Sequence, residues 1–242
     1  MTASIHTPAP TVQGPPKAVC VFLASAQGYL PGQANEAAAK VATTDSTEAG
    51  RDSSAGSVSP YVLLAREAGE RLAKNNVDIV YGGSRLGCMG ALAGGCLGAG
   101  GRVIGVIPKF FESMGVEPAP TNISELHIVT SMHERKQMMT NLSDAFLVLP
   151  GGLGTLDELF ETITWRALGV HAKPIVILNY EGFYDHILAY VKAASERGMI
   201  KVAAWDEGVI VVNTLDEAMD ALMSGRGRGT RIVPAAADSI KQ

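Results

Sequence analysis

The chemistry in this sequence concentrates in Leu149-Pro150-Gly151-Gly152-Leu153-Gly154-Thr155-Leu156-Asp157-Glu158 and in the cations Arg135-Lys136 that precede it. Bare backbone N–H groups in a glycine turn at the positive end of a helix suit an anion, most often a phosphate. The pattern is not the Walker type, because no Lys-Ser/Thr pair follows the last glycine. Its spacing also differs from the dinucleotide fingerprint. Asp157, Glu158 and Glu161 crowd carboxylates beside this anion site. Acids suit a helix N-terminus, but they repel a neighbouring phosphate unless cations intervene or one acid does chemistry. Glu158 therefore has two readings. It follows Thr155 by three residues, the spacing of a capping box, and would then only bond back to the helix start. Alternatively, it is the acid that does the chemistry.

These residues need a frame of strands and helices to hold them. The apolar run Ala145–Leu149 stops at Pro150, and Leu156, Leu159, Phe160, Ile163 and Ala167 then recur on one helical face. The expected unit is strand, tight turn, helix. A similar unit comes earlier in the chain. The strand Val77–Tyr81 leads into Gly82-Gly83-Ser84-Arg85-Leu86-Gly87-Cys88-Met89-Gly90, and a small-residue helix follows over Met89–Ala99. Its Gly94, Gly95, Gly98 and Ala99 would let it lie close against the sheet. Arg85, the charged side chain of that loop, is either a phosphate ligand or a surface cation. Met132–Leu142 reads as a helix whose start breaks a rule. Ser131 and Glu134 have capping-box spacing, yet Arg135 and Lys136 sit in the first turn, where cations oppose the helix dipole. A local rule broken without local gain often marks function.

The remaining strands are expected at Ala18–Ala24, Arg102–Ile107, Leu126–Val129, Pro174–Leu178 and Gly208–Val212. Further helices are expected at Tyr61–Asn75, Phe183–Arg197 and Leu215–Met223. Residues 108–124 read as an irregular loop carrying Phe110, Phe111, Met114 and Glu117. The alternation gives a Rossmann-like, doubly wound parallel sheet with helices on both faces, an α/β fold in a single domain. That domain spans 17–223. A loose tail at 1–16, a mobile polar insertion at about 29–59 with a helical turn around Ala34–Ala42, and a Gly/Arg- and Ala-rich tail at 224–242 fall outside the pattern.

Composition sets the outer limits. A chain of 242 residues that is 47% hydrophobic is enough for one full α/β core. A formal net charge of −4 argues against a general binder of nucleic acid or anionic membranes, while leaving room for a nucleotide-sized ligand. Cys20, Cys88 and Cys96 lie in apolar or glycine-rich stretches without metal-ligand spacing. They read as free thiols of a reducing cytoplasm, with no metal site. Met1–Pro16 has prolines and no apolar core, so it reads as neither signal peptide nor anchor. No run approaches transmembrane length.

Together these motifs carry a resemblance. Pro150-Gly151-Gly152-Leu153-Gly154-Thr155-Leu156-Asp157-Glu158 resembles the P-G-G-x-G-T-x-x-E motif of the LONELY GUY family, the cytokinin riboside 5′-monophosphate phosphoribohydrolases, many of which carry an older lysine decarboxylase label. Met132-His133-Glu134-Arg135-Lys136 resembles the family's M-H-x-R-K stretch. Tyr81–Gly90 resembles its Y-G-G-G-x-x-G-x-M-G, with Ser84 replacing one glycine. Ile163-Thr164-Trp165, Leu168-Gly169 and His171-Ala172-Lys173-Pro174 also match, and the likeness runs from about Lys17 to about Met223. It implies hydrolysis of the N-glycosidic bond of an N6-modified AMP to free base and ribose 5-phosphate. It also implies Arg135 and Glu158 as catalytic residues. Lys136, Gly151, Gly152, Leu153, Gly154, Thr155, Leu156, Asp157 and Thr164 become substrate-binding positions, with Glu117 a further match. The first-strand exit, Leu23-Ala24-Ser25-Ala26-Gln27-Gly28, departs from the family's serine-rich pattern. No cofactor is implied, and nothing in the sequence singles out the Schiff-base lysine that a pyridoxal phosphate decarboxylase needs.

Two rivals stand beside this reading. One is a broader nucleosidase of ordinary purine or pyrimidine monophosphates. The other is a non-catalytic nucleotide or cofactor carrier on the same fold, which would not need Arg135 and Glu158 together. The resemblance further implies a homodimer or larger assembly. Trp165, Leu168, Met132, Met138 and Met139 give weak independent support, since any one of them also suits an ordinary core. The insertion is expected to point away from the shared face.

Overall fold

A computed structural model describes residues 14–28, 58–113, 120, 122–200, 205–206 and 208–224. The expected N-terminal tail, the insertion, the turn near Ala34–Ala42, Glu117 and the C-terminal tail lie wholly or almost wholly outside these residues. Strands and helices alternate through the chain: β1 (Ala18–Phe22), α1 (Pro60–Lys74), β2 (Asp78–Tyr81), α2 (Gly87–Gly98), β3 (Val103–Pro108), α3 (Lys109–Ser113), β4 (Glu125–Val129), α4 (Met132–Asn141), β5 (Ala145–Val148), α5 (Leu153–Ala167), β6 (Ile175–Leu178), α6 (Asp185–Glu196), β7 (Val209–Val212) and α7 (Leu215–Met223).

The strands form one seven-stranded sheet in the order β4-β3-β2-β1-β5-β6-β7, and every pairing is parallel. Period-two alternation splits the core between the two faces. Val19, Val21, Ala145, Leu147 and Leu149 pack with Ala68 of α1, Leu92 of α2 and Leu222 of α7. Cys20, Phe22, Phe146 and Val148 pack with Met139 of α4, Leu159 of α5 and Val191 of α6. Burial on both faces explains why these strands read as unbroken apolar runs. The doubly wound α/β expectation is met.

Strand addition reverses direction between β1 and β5. A crevice at the carboxyl ends of the strands is the usual ligand position at such a switch point. The glycine turn after β5 and the exit of β1 both open there.

Three local expectations change. Residues 108–124 are not loop throughout: Pro108 still pairs with Val129, and α3 follows at once. Proline lacks an N–H but keeps its carbonyl, so Pro108 can still close β3 against Val129. The glycines of α2 do not all face the sheet. A Cβ at Gly95 would stand 2.1 Å from Arg66 O, so this glycine admits the backbone of α1 instead. Finally, α5 begins at Leu153, and its buried residues are Thr155, Glu158, Leu159, Thr162 and Ile163, while Ala167 is exposed. The inward face is thus partly polar, which a purely apolar pattern does not show.

Candidate active site

The glycine turn is built as the sequence implies, with one decisive difference. Gly152 is the N-cap of α5, and it offers no side-chain cap. Thr155 is therefore inside the first turn, and Glu158 lies beyond it. The capping-box reading of Thr155 and Glu158 is overturned, because a capping box needs its Ser/Thr at the N-cap itself. The first amides of α5 have no intrahelical partner, and Gly152, Leu153 and Gly154 are exposed. Thr155 is buried and locks the turn from below: a Cβ at Gly151 would meet its Oγ1 at 2.1 Å.

Glu158 is buried, at 6% exposure, and so is Arg135, at 5%. Charged side chains seldom reach such depth without a structural or chemical reason. Arg135 is held by strand-end carbonyls: Nη2 donates to Gly82 O at 2.6 Å and Nε to Val106 O at 3.1 Å. Nη1 lies 4.0 Å from Met132 Sδ, and the guanidinium sits 5.4 Å from the centre of the Phe111 ring on α3, a cation–π placement. The broken rule at the start of α4 is thereby explained. Arg135 gives up a favourable dipole position and gains the carboxyl ends of β2 and β3. Gly82 leaves the space for it, since a Cβ there would stand 2.1 Å from Nη2. Ser131 does cap α4, accepting from Glu134 N at 3.2 Å, whereas Glu134 reaches back to Thr130 N and Oγ1.

Cys20 lies on β1, the central strand of the sheet. Burial first, and then the Glu158 carboxylate, hold its thiol well above the usual range, while the nearby Arg135 acts in the opposite sense. Glu158 from α5 and Arg135 from α4 thus both act electrostatically on one residue of the central strand.

Lys136 bridges two helices. Its ammonium lies 3.1 Å from Asp157 and 3.1 Å from Glu161, joining α4 to α5. Thr164 stands apart: its hydroxyl bonds Phe160 O within the helix, and it lies roughly 16 Å along α5 from Leu153 at the usual rise. Leu156 packs against the core, so only its backbone can face a ligand. Arg85 is exposed in the loop after β2. The structure therefore sets Lys136 against Asp157 and Glu161 on the helix that carries Glu158 and opens at residues 151–155, and it places Thr164 about three turns beyond Leu153 on that helix. Among the described residues, no group of three or more His, Cys, Asp or Glu side chains could hold a metal ion, and no helix is long and apolar enough to cross a membrane.

Sequence reasoning missed the parts that aim these groups. Phe111 was one of two adjacent phenylalanines in a supposed loop. The carbonyls of Gly82 and Val106 have no signature beyond lying at strand ends. Tyr184 passed as a helix residue, yet its hydroxyl donates to Leu149 O at 2.7 Å, immediately before the turn.

The chain is similar to several known proteins. A family model described as "Possible lysine decarboxylase" matches residues 89–222. A cytokinin riboside 5′-monophosphate phosphoribohydrolase of Rhodococcoides fascians is 43% identical over 164 residues, covering 68% of this chain and 82% of that protein. A probable enzyme of the same name from Oryza sativa is 48% identical over 148 residues, and the match spans 61% of this chain and 64% of the rice protein, less than two thirds of it. Among solved structures, the molybdenum cofactor binding protein of Rippkaea orientalis superposes with a TM-score of 0.55 at 15% identity, covering 91% of this chain and 98% of that one. At that identity the likeness shows the fold alone.

Proposed function

The chain belongs to the LONELY GUY family, whose model carries the older description of possible lysine decarboxylase, and from that membership we propose that it is a phosphoribohydrolase of nucleoside 5′-monophosphates. It hydrolyses the N-glycosidic bond of an N6-modified AMP and releases the free base and ribose 5-phosphate. The observation that carries this reading is that Arg135 and Glu158 are both buried charges, with Glu158 on the helix that an uncapped glycine turn opens. A carrier needs the turn but not the buried pair.

The 5′-phosphate sits on the exposed amides that open α5, where the helix dipole favours negative charge. The ribose then lies over Glu158. As the C1′–N bond breaks, its electron pair leaves with the base and the sugar gains cationic character, as in other glycoside hydrolysis. The Glu158 carboxylate stabilises that charge and takes a proton from the attacking water or a ribose hydroxyl. Water adds to C1′, and a proton passes to the departing base nitrogen. Arg135, fixed by Gly82 O and Val106 O, supplies an immobile positive charge at the carboxyl ends of the strands.

Two finer points belong to the same proposal. The protein works in a reducing cytoplasm, in keeping with the buried free thiols of Cys20, Cys88 and Cys96. It assembles as a homodimer or larger through α5, in keeping with the exposed Leu153 at its start and Leu168 and Val170 just past its end.

The test is release of free base from a panel of AMP, N6-isopentenyl-AMP, other monophosphates and the matching nucleosides. The expected result is turnover of monophosphates, best with the N6-modified base, and little turnover of nucleosides. Absence of base release from every monophosphate would leave the carrier reading in its place. Equal kcat/KM on all bases would identify a general nucleotide nucleosidase.

A further inference from the structure

The glycine turn is held from behind by a residue on a later helix. Tyr184, the N-cap of α6, is 2% exposed. Its hydroxyl donates to Leu149 O at 2.7 Å, and the backbone N–H of Gly151 is turned towards the phenol oxygen. Between those two residues lies Pro150, which has no N–H of its own. One hydroxyl therefore closes the backbone across the proline. The tyrosine is itself fixed. Its N–H donates to Asn179 Oδ1 at 2.7 Å, and Asn179 Nδ2 donates to Asp185 Oδ1 at 2.8 Å. Asn179 follows β6 and donates its own N–H to Val212 O, the end of β7. Burial raises the phenol's pKa, so the hydroxyl remains a donor throughout the neutral range.

We propose that Tyr184 is a positioning residue for the anion site: by tying Leu149 O to Gly151 N–H, it withdraws the Gly151 amide from the ligand and sets the exposed amides of residues 152–154 to receive it. The proposal rests on the reading of the turn as a phosphate site. It divides the glycine motif into two parts. Gly151 belongs to the scaffold, pressed against Thr155 on one side and turned towards the Tyr184 hydroxyl on another. Gly152 and Gly154 have open space where a Cβ would be, and face the ligand.

The experiment uses inorganic phosphate as the probe, binding to the full chain at a temperature well below unfolding. Tyr184→Phe keeps the ring and removes the hydroxyl. The expected result is phosphate affinity weakened by about tenfold, the scale of one buried hydrogen bond, with KM for a monophosphate rising by a similar factor and kcat changing less. Val191→Ala is the control, because Val191 is buried on the same helix and its side chain has no group that could hydrogen-bond the turn. It should lower the melting temperature and leave phosphate affinity within twofold. Hydrogen exchange of the wild type supplies a readout that needs no variant: the Gly151 amide should be protected and the Gly152 amide should not. Equal exchange at Gly151 and Gly152, unchanged phosphate affinity in Tyr184→Phe, or an equal loss in Val191→Ala would overturn the positioning role. If the wild type releases no base while Tyr184→Phe still weakens phosphate binding, the proposed reaction fails and the positioning role stands.

Discussion

Lys136 Nζ lies 3.1 Å from a carboxylate oxygen of Asp157 and 3.1 Å from one of Glu161, one helical turn apart on α5. Burial pulls the Lys136 pKa down, but the two carboxylates outweigh it and the net shift is upward, so the ammonium is charged at any working pH. Its neighbour Arg135 and their neighbour Glu158 are the buried pair. The strut between α4 and α5 thus sets the spacing of the groups proposed to do the chemistry.

Lys136→Met leaves two acids facing each other without a cation. The expected cost is about 1–2 kcal/mol of stability, between the values for exposed and buried pairs. The kinetic outcome separates two roles. A strut that aims Glu158 predicts a fall in kcat with KM little changed. A phosphate ligand predicts a large rise in KM with kcat preserved. The strut outcome is expected.

Gly154→Ala separates fold from ligand in the opposite way. Position 154 lies in the first turn of α5, and a Cβ there meets nothing within 4 Å. Alanine in a helix is favoured over glycine, so the variant should gain about 0.5–1 kcal/mol of stability. The added methyl also intrudes where a phosphate would approach the backbone, so monophosphate KM should rise several-fold. A stabilised variant with unchanged KM would remove this amide from the binding site.

Gly82→Ala probes Arg135 without altering it. The new Cβ would overlap Nη2, and guanidinium displacement breaks the bond to Gly82 O. The expected result is a loss of at least about tenfold in kcat, as for a misplaced catalytic group, with modest destabilisation. Activity within twofold of wild type would show that the fixed position of Arg135 does not matter.

His171 ties the loop after α5 back to the helix. Nε2 bonds Thr162 O at 3.1 Å, and Nδ1 accepts from Lys173 N at 3.2 Å, which assigns the neutral tautomer with its proton on Nε2. Burial first, then the charge of Lys173, lowers its pKa from 6.5 to about 4. The unfolded chain takes up this proton near 6.5 and the native chain only near 4. The stability of the neutral form is therefore complete above about pH 6.5 and declines as the pH falls towards 4. Between pH 7.5 and 4.5 the stability difference between wild type and His171→Asn should narrow by about 2 kcal/mol. Parallel curves for the two proteins would refute the assignment.

The doubly wound sheet was legible because each strand is buried on both faces and therefore reads as an apolar run, such as Ala145–Leu149. The glycine turn was legible because nothing but a ligand or a close packing contact needs Gly151, Gly152 and Gly154 so near together. The helix start was not. Leu153 lacks the inward position of Leu156, so an apolar pattern began three residues late and made Thr155 look like a cap. Arg135 announced itself by breaking the dipole rule, but its partners are backbone carbonyls of β2 and β3, which a sequence cannot display. Tyr184 reaches the turn from 35 residues away in the chain, and such a contact exists only after β6 and α6 have packed.

The central claim is that Glu158 does chemistry. Its most direct test is single-turnover release of free base from N6-isopentenyl-AMP by the wild type and Glu158→Gln, with substrate binding measured on the same samples. The account predicts that Glu158→Gln binds the nucleotide within a few-fold of wild type and releases base at least about a hundredfold more slowly, the scale of a positioned acid–base group. Base release at close to the wild-type rate, with only a lowered melting temperature, would contradict it.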